Sequence, residues 1–155
     1  SYIEKDFGCS FPSSYIWCQG NEFLNSDASF MLSIADIPFK IFHFEGVICV
    51  LKVDHLEYKF TTYNNTKIIK YEASENLVHV ILKKNDYYLY IDGICLNSFK
   101  LAAPIKGRMS KDILESISSV ITVTLTRGDE TIFYDTSINA GVEIVQKQKT
   151  NSLHI

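Results

Sequence analysis

The chain has 155 residues, 46% of them hydrophobic and 21% charged, with a formal net charge of −3. A chain of this length buries roughly 70% of its unfolded surface, enough for one self-sufficient core. Its basic residues are scattered among acids, which excludes the clustered Lys and Arg of a nucleic-acid surface, and its longest unbroken apolar run, residues 47–51, falls far short of the about 20 residues of a membrane-spanning helix, so any membrane contact is peripheral.

The chain opens on dense chemistry. Tyr2, Glu4 and Asp6 share one face of a strand, Lys5 points the other way, and Gly8-Cys9-Ser10-Phe11-Pro12 breaks it. Glu4 and Asp6 then stand about 6–7 Å apart. In an interior each would raise the proton affinity of the other; on an edge strand they are charges that discourage aggregation. Periodicity alone leaves both readings open.

Residues 15–23 form the next strand, with Tyr15, Trp17, Gln19 and Asn21 on one face and Ile16 and Cys18 on the other. If the second face meets a dry core, the first presents a large aromatic beside two amides. That combination suits an amphiphilic ligand and equally a domain or subunit interface. Asn25-Ser26-Asp27 turns the chain into a strand over 29–37. Gly46 interrupts a third run that begins at Phe39, the mark of a bulge or sharp bend.

Residues 47–53 and the alternating Leu56, Tyr58, Phe60 and Thr62 are separated by Asp54 and His55 alone, which predicts a tight hairpin. Strands over 66–72, 77–83 and 87–91 follow as a meander with short polar turns. The one helical candidate is 111–118, where Ile113, Leu114 and Ile117 follow Ser110 as a cap. Ile121, Val123 and Leu125 alternate with threonines, Arg127-Gly128-Asp129-Glu130 turns the chain into 131–134, and 141–145 is the last strand. The pattern predicts an all-β domain over 1–145, an antiparallel meander closing into a lipocalin-like (calycin-like) barrel or a strongly coiled sandwich with at most one short helix, because closure removes sticky edges. Residues 146–155 read as a frayed tail.

Several signals are assigned to structure. Arg127-Gly128-Asp129 spells an adhesion tripeptide but sits where a hairpin turns. The sequon Asn64-Asn65-Thr66 reads as a turn, and His43, between Phe42 and Phe44, reads as a packed strand histidine. Cys9, Cys18, Cys49 and Cys95 contain no CxxC pair and the four histidines no HxxxH spacing, which argues against zinc and for free thiols in a reducing compartment. A cytoplasmic or membrane-peripheral location is expected. There is no GxSxG, Walker or GxGxxG motif.

The run Tyr2-Ile3-Glu4-Lys5-Asp6-Phe7-Gly8-Cys9-Ser10-Phe11-Pro12, followed by Trp17-Cys18-Gln19-Gly20-Asn21, resembles the signature of the tocopherol cyclase family. The likeness continues through Ser33-Ile34-Ala35-Asp36-Ile37-Pro38, Leu101-Ala102-Ala103-Pro104-Ile105-Lys106-Gly107-Arg108-Met109, Ile113-Leu114-Glu115-Ser116 and Ala140-Gly141-Val142-Glu143-Ile144. It departs at Phe7, Tyr15 and Glu22, where the family pattern calls for Trp, Trp and His. The resemblance implies the C-terminal part of a longer protein, with an N-terminal half as its covalent partner. It also implies acid-catalysed closure of a prenylated hydroquinone to a chromanol with no cofactor. Chemistry then assigns Glu4 or Asp6 as the acid with Glu115 in reserve, Trp17 and Tyr15 as cation-stabilising rings, and Gln19 and Asn21 as holders of the quinol hydroxyls. A binding module for a lipophilic molecule and an interaction domain are the alternatives.

Overall fold

The computed structural model describes residues 11–39 and 41–146, so Glu4, Asp6, Cys9 and the tail beyond Gln146 lie outside the described residues. Ten antiparallel strands make one sheet: β1 (Tyr15–Gly20), β2 (Ala28–Phe39), β3 (Phe42–Val53), β4 (Leu56–Thr61), β5 (Lys67–Ala73), β6 (Leu77–Lys84), β7 (Tyr87–Ile94), β8 (Phe99–Ile105), β9 (Arg108–Arg127) and β10 (Glu130–Val145). The order across the sheet is β4-β3-β2-β1-β10-β9-β7-β6-β5, with β8 paired to β9 beside that path.

Alternation drives this arrangement. Ile16 and Cys18 of β1, Phe30, Leu32 and Ile34 of β2, Cys49 and Leu51 of β3, Val78, Val80 and Leu82 of β6, and Ile121, Val123 and Leu125 of β9 turn one face inward and share a single core. Strands from both halves of the sheet contribute to that core. The two-residue turn at Asp54-His55 forms as its spacing predicts, with Val53 opposite Leu56 and Asp54 at φ 52°. The sequon also lies in a turn: a 3-10 turn spans Thr62–Asn64, and the Asn64 side chain accepts from Thr61 N and donates to Lys59 O. Gly128, at φ 57°, lies in the turn between Arg127 and Glu130, which face each other as the first pair of the β9–β10 hairpin.

Four expectations are corrected. The sheet is not closed into a barrel, because its path ends at β4 and β5 and no ladder among the described residues joins them. Side chains serve the gap instead: Lys84 Nζ and Asn64 Nδ2 both donate to Lys59 O on the β4 edge, and Tyr58 packs on Tyr87 at 6.1 Å between ring centroids. A carbonyl satisfied this way does not need a neighbouring strand.

Residues 111–118 are strand, not helix, and the described residues contain no α-helix. This segment lies within β9, where Leu114 pairs with Ile144 of β10 on one side and with Lys100 of β8 on the other. A ladder on both sides outweighs the weak helical spacing of three apolar residues. The carbonyl of Leu96, on the jog between β7 and β8, accepts from the hydroxyls of Ser116 and Ser118.

Gly46 makes no bulge, since β2 and β3 pair without a register shift from Ala28–Val53 to Phe39–Phe42. The glycine instead makes room for a neighbour, as a Cβ there would collide with the Ile37 Cδ1 methyl. Nor are 131–134 and 141–145 separate strands, for β10 runs through both, with register shifts between Thr131 and Phe133 and between Ser137 and Val142.

The loop between β1 and β2 is tied to β10 by a buried carboxylate. Asp135 accepts from Asn25 N, Asn25 Nδ2 and Ser26 Oγ at 2.7–3.0 Å and from Thr136 N at 2.8 Å. Burial alone pushes this carboxyl up, but the hydrogen bonds from Ser26, the Thr136 backbone and Asn25 outweigh it and hold the group down at about 2. Cys18, Cys49 and Cys95 are free and buried, as expected, and burial raises the affinity of each for its proton.

Candidate functional site

The face of β1 opposite the core carries Trp17 and Gln19, as the alternation requires, while Ile16 and Cys18 are fully buried on the other side. Trp17 stands opposite Glu143 of β10, and Glu143 stands opposite Glu115 of β9. An indole and two carboxylates therefore form one row across three strands. Gln19 is opposite Gly141 in the next row.

These residues line an open cleft of about 370 Å³. Trp17, Gln19 and Asn21 form one wall, Glu115 and Ile117 the other, and Gly141 and Glu143 the floor between them. The indole lies over Gly141, where a Cβ would stand 3.2 Å from Trp17 Cζ3. Glycine at this position leaves the floor low enough for the ring to approach it closely.

The bulges of β10 shape the far end. Register shifts fall between Ser137 and Ala140 and between Ala140 and Val142, and Asn139 has φ 54°. Bulges re-aim side chains, and this one directs Asn139 Nδ2 to Glu22 Oε2 at 3.0 Å on the rim. The chain leaving β1 is held against the bulge by Ile138 N donating to Glu22 O at 2.9 Å and Leu24 N to Thr136 O at 3.0 Å.

Of the residues selected from sequence, the structure brings Trp17, Gln19, Asn21 and Glu115 to this one cleft. Tyr15 shares their face but is buried in a small cluster with Ala103, Ile113 and Val145, where Phe11 stacks on it at 5.8 Å. Its hydroxyl donates to Glu143 Oε2 at 2.9 Å, so it orients a carboxylate of the cleft without lining it. Glu4 and Asp6 fall outside the described residues.

Glu22, Asn139 and Glu143 were not singled out as site residues. Glu143 was legible, because period two puts it with Gly141 on the face opposite Val142 and Ile144; Asn139 was not, because a bulge cancels that period. The cleft is polar, with three carboxylates and three amides around the indole and Ile117. Among the described residues no group of three or more His, Cys, Asp or Glu side chains is placed to hold a metal ion.

Compared with known proteins, the chain matches no family model, no curated protein and no solved structure.

Proposed function

We propose that this chain is a binding domain for a small amphiphilic molecule with a flat ring, held in the outer cleft beside Trp17. The observation that supports this reading is convergence: Trp17, Gln19, Asn21 and Glu115, selected by periodicity and resemblance on two distant stretches of sequence, line the same cleft. The indole offers a face for stacking, and the amides and carboxylates offer acceptors and donors to hydroxyls at the ring edge. A lipocalin-like barrel would hold its ligand inside. Here the interior is filled by Ile16, Leu32, Leu82, Leu89 and Leu125, all fully buried, so the ligand belongs on the outer face of what we read as an opened calycin-like barrel.

The second reading is the cyclase activity that the resemblance implies, and the position of Glu115 favours it. Of the three acids selected from sequence, Glu115 is the one among the described residues, and it lies across the cleft from the indole. In that reading Glu115 donates a proton to the trisubstituted alkene of a prenylated hydroquinone. The tertiary cation forms beside the Trp17 face, and the phenolic oxygen adds to it and loses its own proton, so atoms and charge balance in an isomerisation. Gln19 and Asn21 hold the quinol hydroxyls and bring oxygen and carbon together.

Titration of the chain with a prenylated hydroquinone, followed by the fluorescence of Trp17, the single tryptophan, tests binding; appearance of the chromanol tests turnover. Saturable quenching lost in Trp17→Ala supports the binding reading. Emission indifferent to amphiphilic ring compounds overturns it, and binding without chromanol removes the cyclase reading alone.

A further inference from the structure

The cleft beside Trp17 carries charge of one sign. Its lining holds Glu22, Glu115 and Glu143 and, among the described residues, no Lys, Arg or His. Glu22 and Glu115 form no ion pair among the described residues. Glu22 accepts from Asn139 Nδ2 and Glu143 from the Tyr15 hydroxyl. Both donors are neutral, so these bonds orient the carboxylates without cancelling their charge. Charge of one sign in a cleft walled by protein focuses the field and raises the local concentration of the opposite ion. The ion that this site concentrates is a cation.

Spacing decides which kind of cation. Trp17, Glu143 and Glu115 stand in one row on three neighbouring strands, which spreads them over about 10 Å at a strand spacing near 4.8 Å. A metal ion needs oxygens converging on it at about 2.0–2.6 Å, and among the described residues no group of three or more acids, His or Cys converges in this way. The walls are also partly apolar, with the indole on one side and Ile117 on the other. A wide cleft of this make-up suits a bulky organic cation rather than a compact inorganic one.

The indole supplies the second half of such a site. Of the aromatic side chains, tryptophan attracts an ammonium group over its ring face most strongly. A cation between the indole and the opposite carboxylates is therefore met from both sides, while Gln19 and Asn21 remain to hydrogen-bond a hydroxyl on the same ligand. We infer that the cleft selects an aromatic ammonium ion, whose cationic arm is held between the Trp17 indole and the carboxylates of Glu22 and Glu115. The inference rests on the binding reading of this cleft and narrows its ligand from an amphiphile to a cation.

Tyramine and tyrosol test it, because the two probes share a hydroxyphenethyl skeleton and differ only in an ammonium against a hydroxyl. Each is titrated into the full chain by calorimetry, with the emission of Trp17 followed in parallel. The wild type is expected to bind tyramine about tenfold tighter than tyrosol, and the gap should narrow as salt rises. Glu22→Gln/Glu115→Gln, which keeps an acceptor for Asn139, should bind the two probes alike and retain the wild-type affinity for tyrosol. Trp17→Ala should weaken both. Circular dichroism and thermal melting check each variant, and the wild-type comparison of the two probes stands whether or not the variants fold. Equal wild-type affinities that Trp17→Ala weakens together overturn the inference and leave the cleft reading standing. Tyramine binding that both variants leave unchanged puts the cation elsewhere and overturns it too. If neither probe binds, the inference falls, and the hydroquinone titration decides the cleft reading by itself.

Discussion

Trp17 and Gly141 are matched across adjacent strands: the indole occupies the space that a side chain at 141 would need, with Cζ3 3.2 Å and Cη2 3.8 Å from the position of a Cβ. Gly141→Ala should therefore tilt the ring by a few tenths of an ångström without disturbing the ladder. A shifted Trp17 emission maximum and weaker quinol binding are expected, with the melting temperature almost unchanged. Trp17→Ala should cost about 1–3 kcal/mol of binding, the usual worth of a stacked aromatic. Equal affinities for wild type and both variants would place the ligand elsewhere.

Asp135 predicts an acid-labile loop. Its carboxyl is held at about 2 in the folded chain, below the roughly 3.9 of an unfolded aspartate. The contribution to stability is thus complete above pH of about 4 and is lost as pH falls towards 2. Melting temperatures between pH 5 and 2 should fall more steeply for wild type than for Asp135→Asn, because the variant has no such proton to gain. At neutral pH the variant should be less stable by about 1.5–3 kcal/mol, as hydrogen bonds to a charged acceptor are weakened or left unmade. Parallel pH profiles would show that the brace carries little energy.

The thiols give a direct count. Cys18, Cys49 and Cys95 are buried and hold their protons tightly, so native protein should react slowly with a thiol reagent at these sites. Denatured, unreduced protein should titrate four thiols, with Cys9 included. A count of two or none would mean that disulfides form.

Tyr15 and Glu115 separate positioning from chemistry. Tyr15→Phe removes the hydroxyl that orients Glu143 and should weaken quinol binding modestly while leaving any turnover of bound ligand intact. Glu115→Gln should leave binding largely intact and abolish chromanol formation, because loss of a proton donor acts on the transition state. If both variants only shift affinity, Glu115 is a ligand contact and the site has no catalytic part.

Alternation alone determined most strands of this protein. A period of two in Ile16 and Cys18, in Leu56 to Thr62 and in Ile121, Val123 and Leu125 is local, and it survives because each strand has one buried face. The same period put Trp17 and Gln19 together on the opposite face. What the sequence did not determine depends on partners remote in the chain. Residues 111–118 are strand because β8 pairs with 111–115 and β10 with 114–116, which their own propensity does not announce. At the open β4 edge, side chains from Lys84 and Asn64 satisfy the Lys59 carbonyl. Glu115 meets Trp17 only because β10 lies between their strands, and Asn139 reaches the rim only through a bulge that breaks the period. Register and edge satisfaction are relations between strands, and no single stretch of sequence contains them.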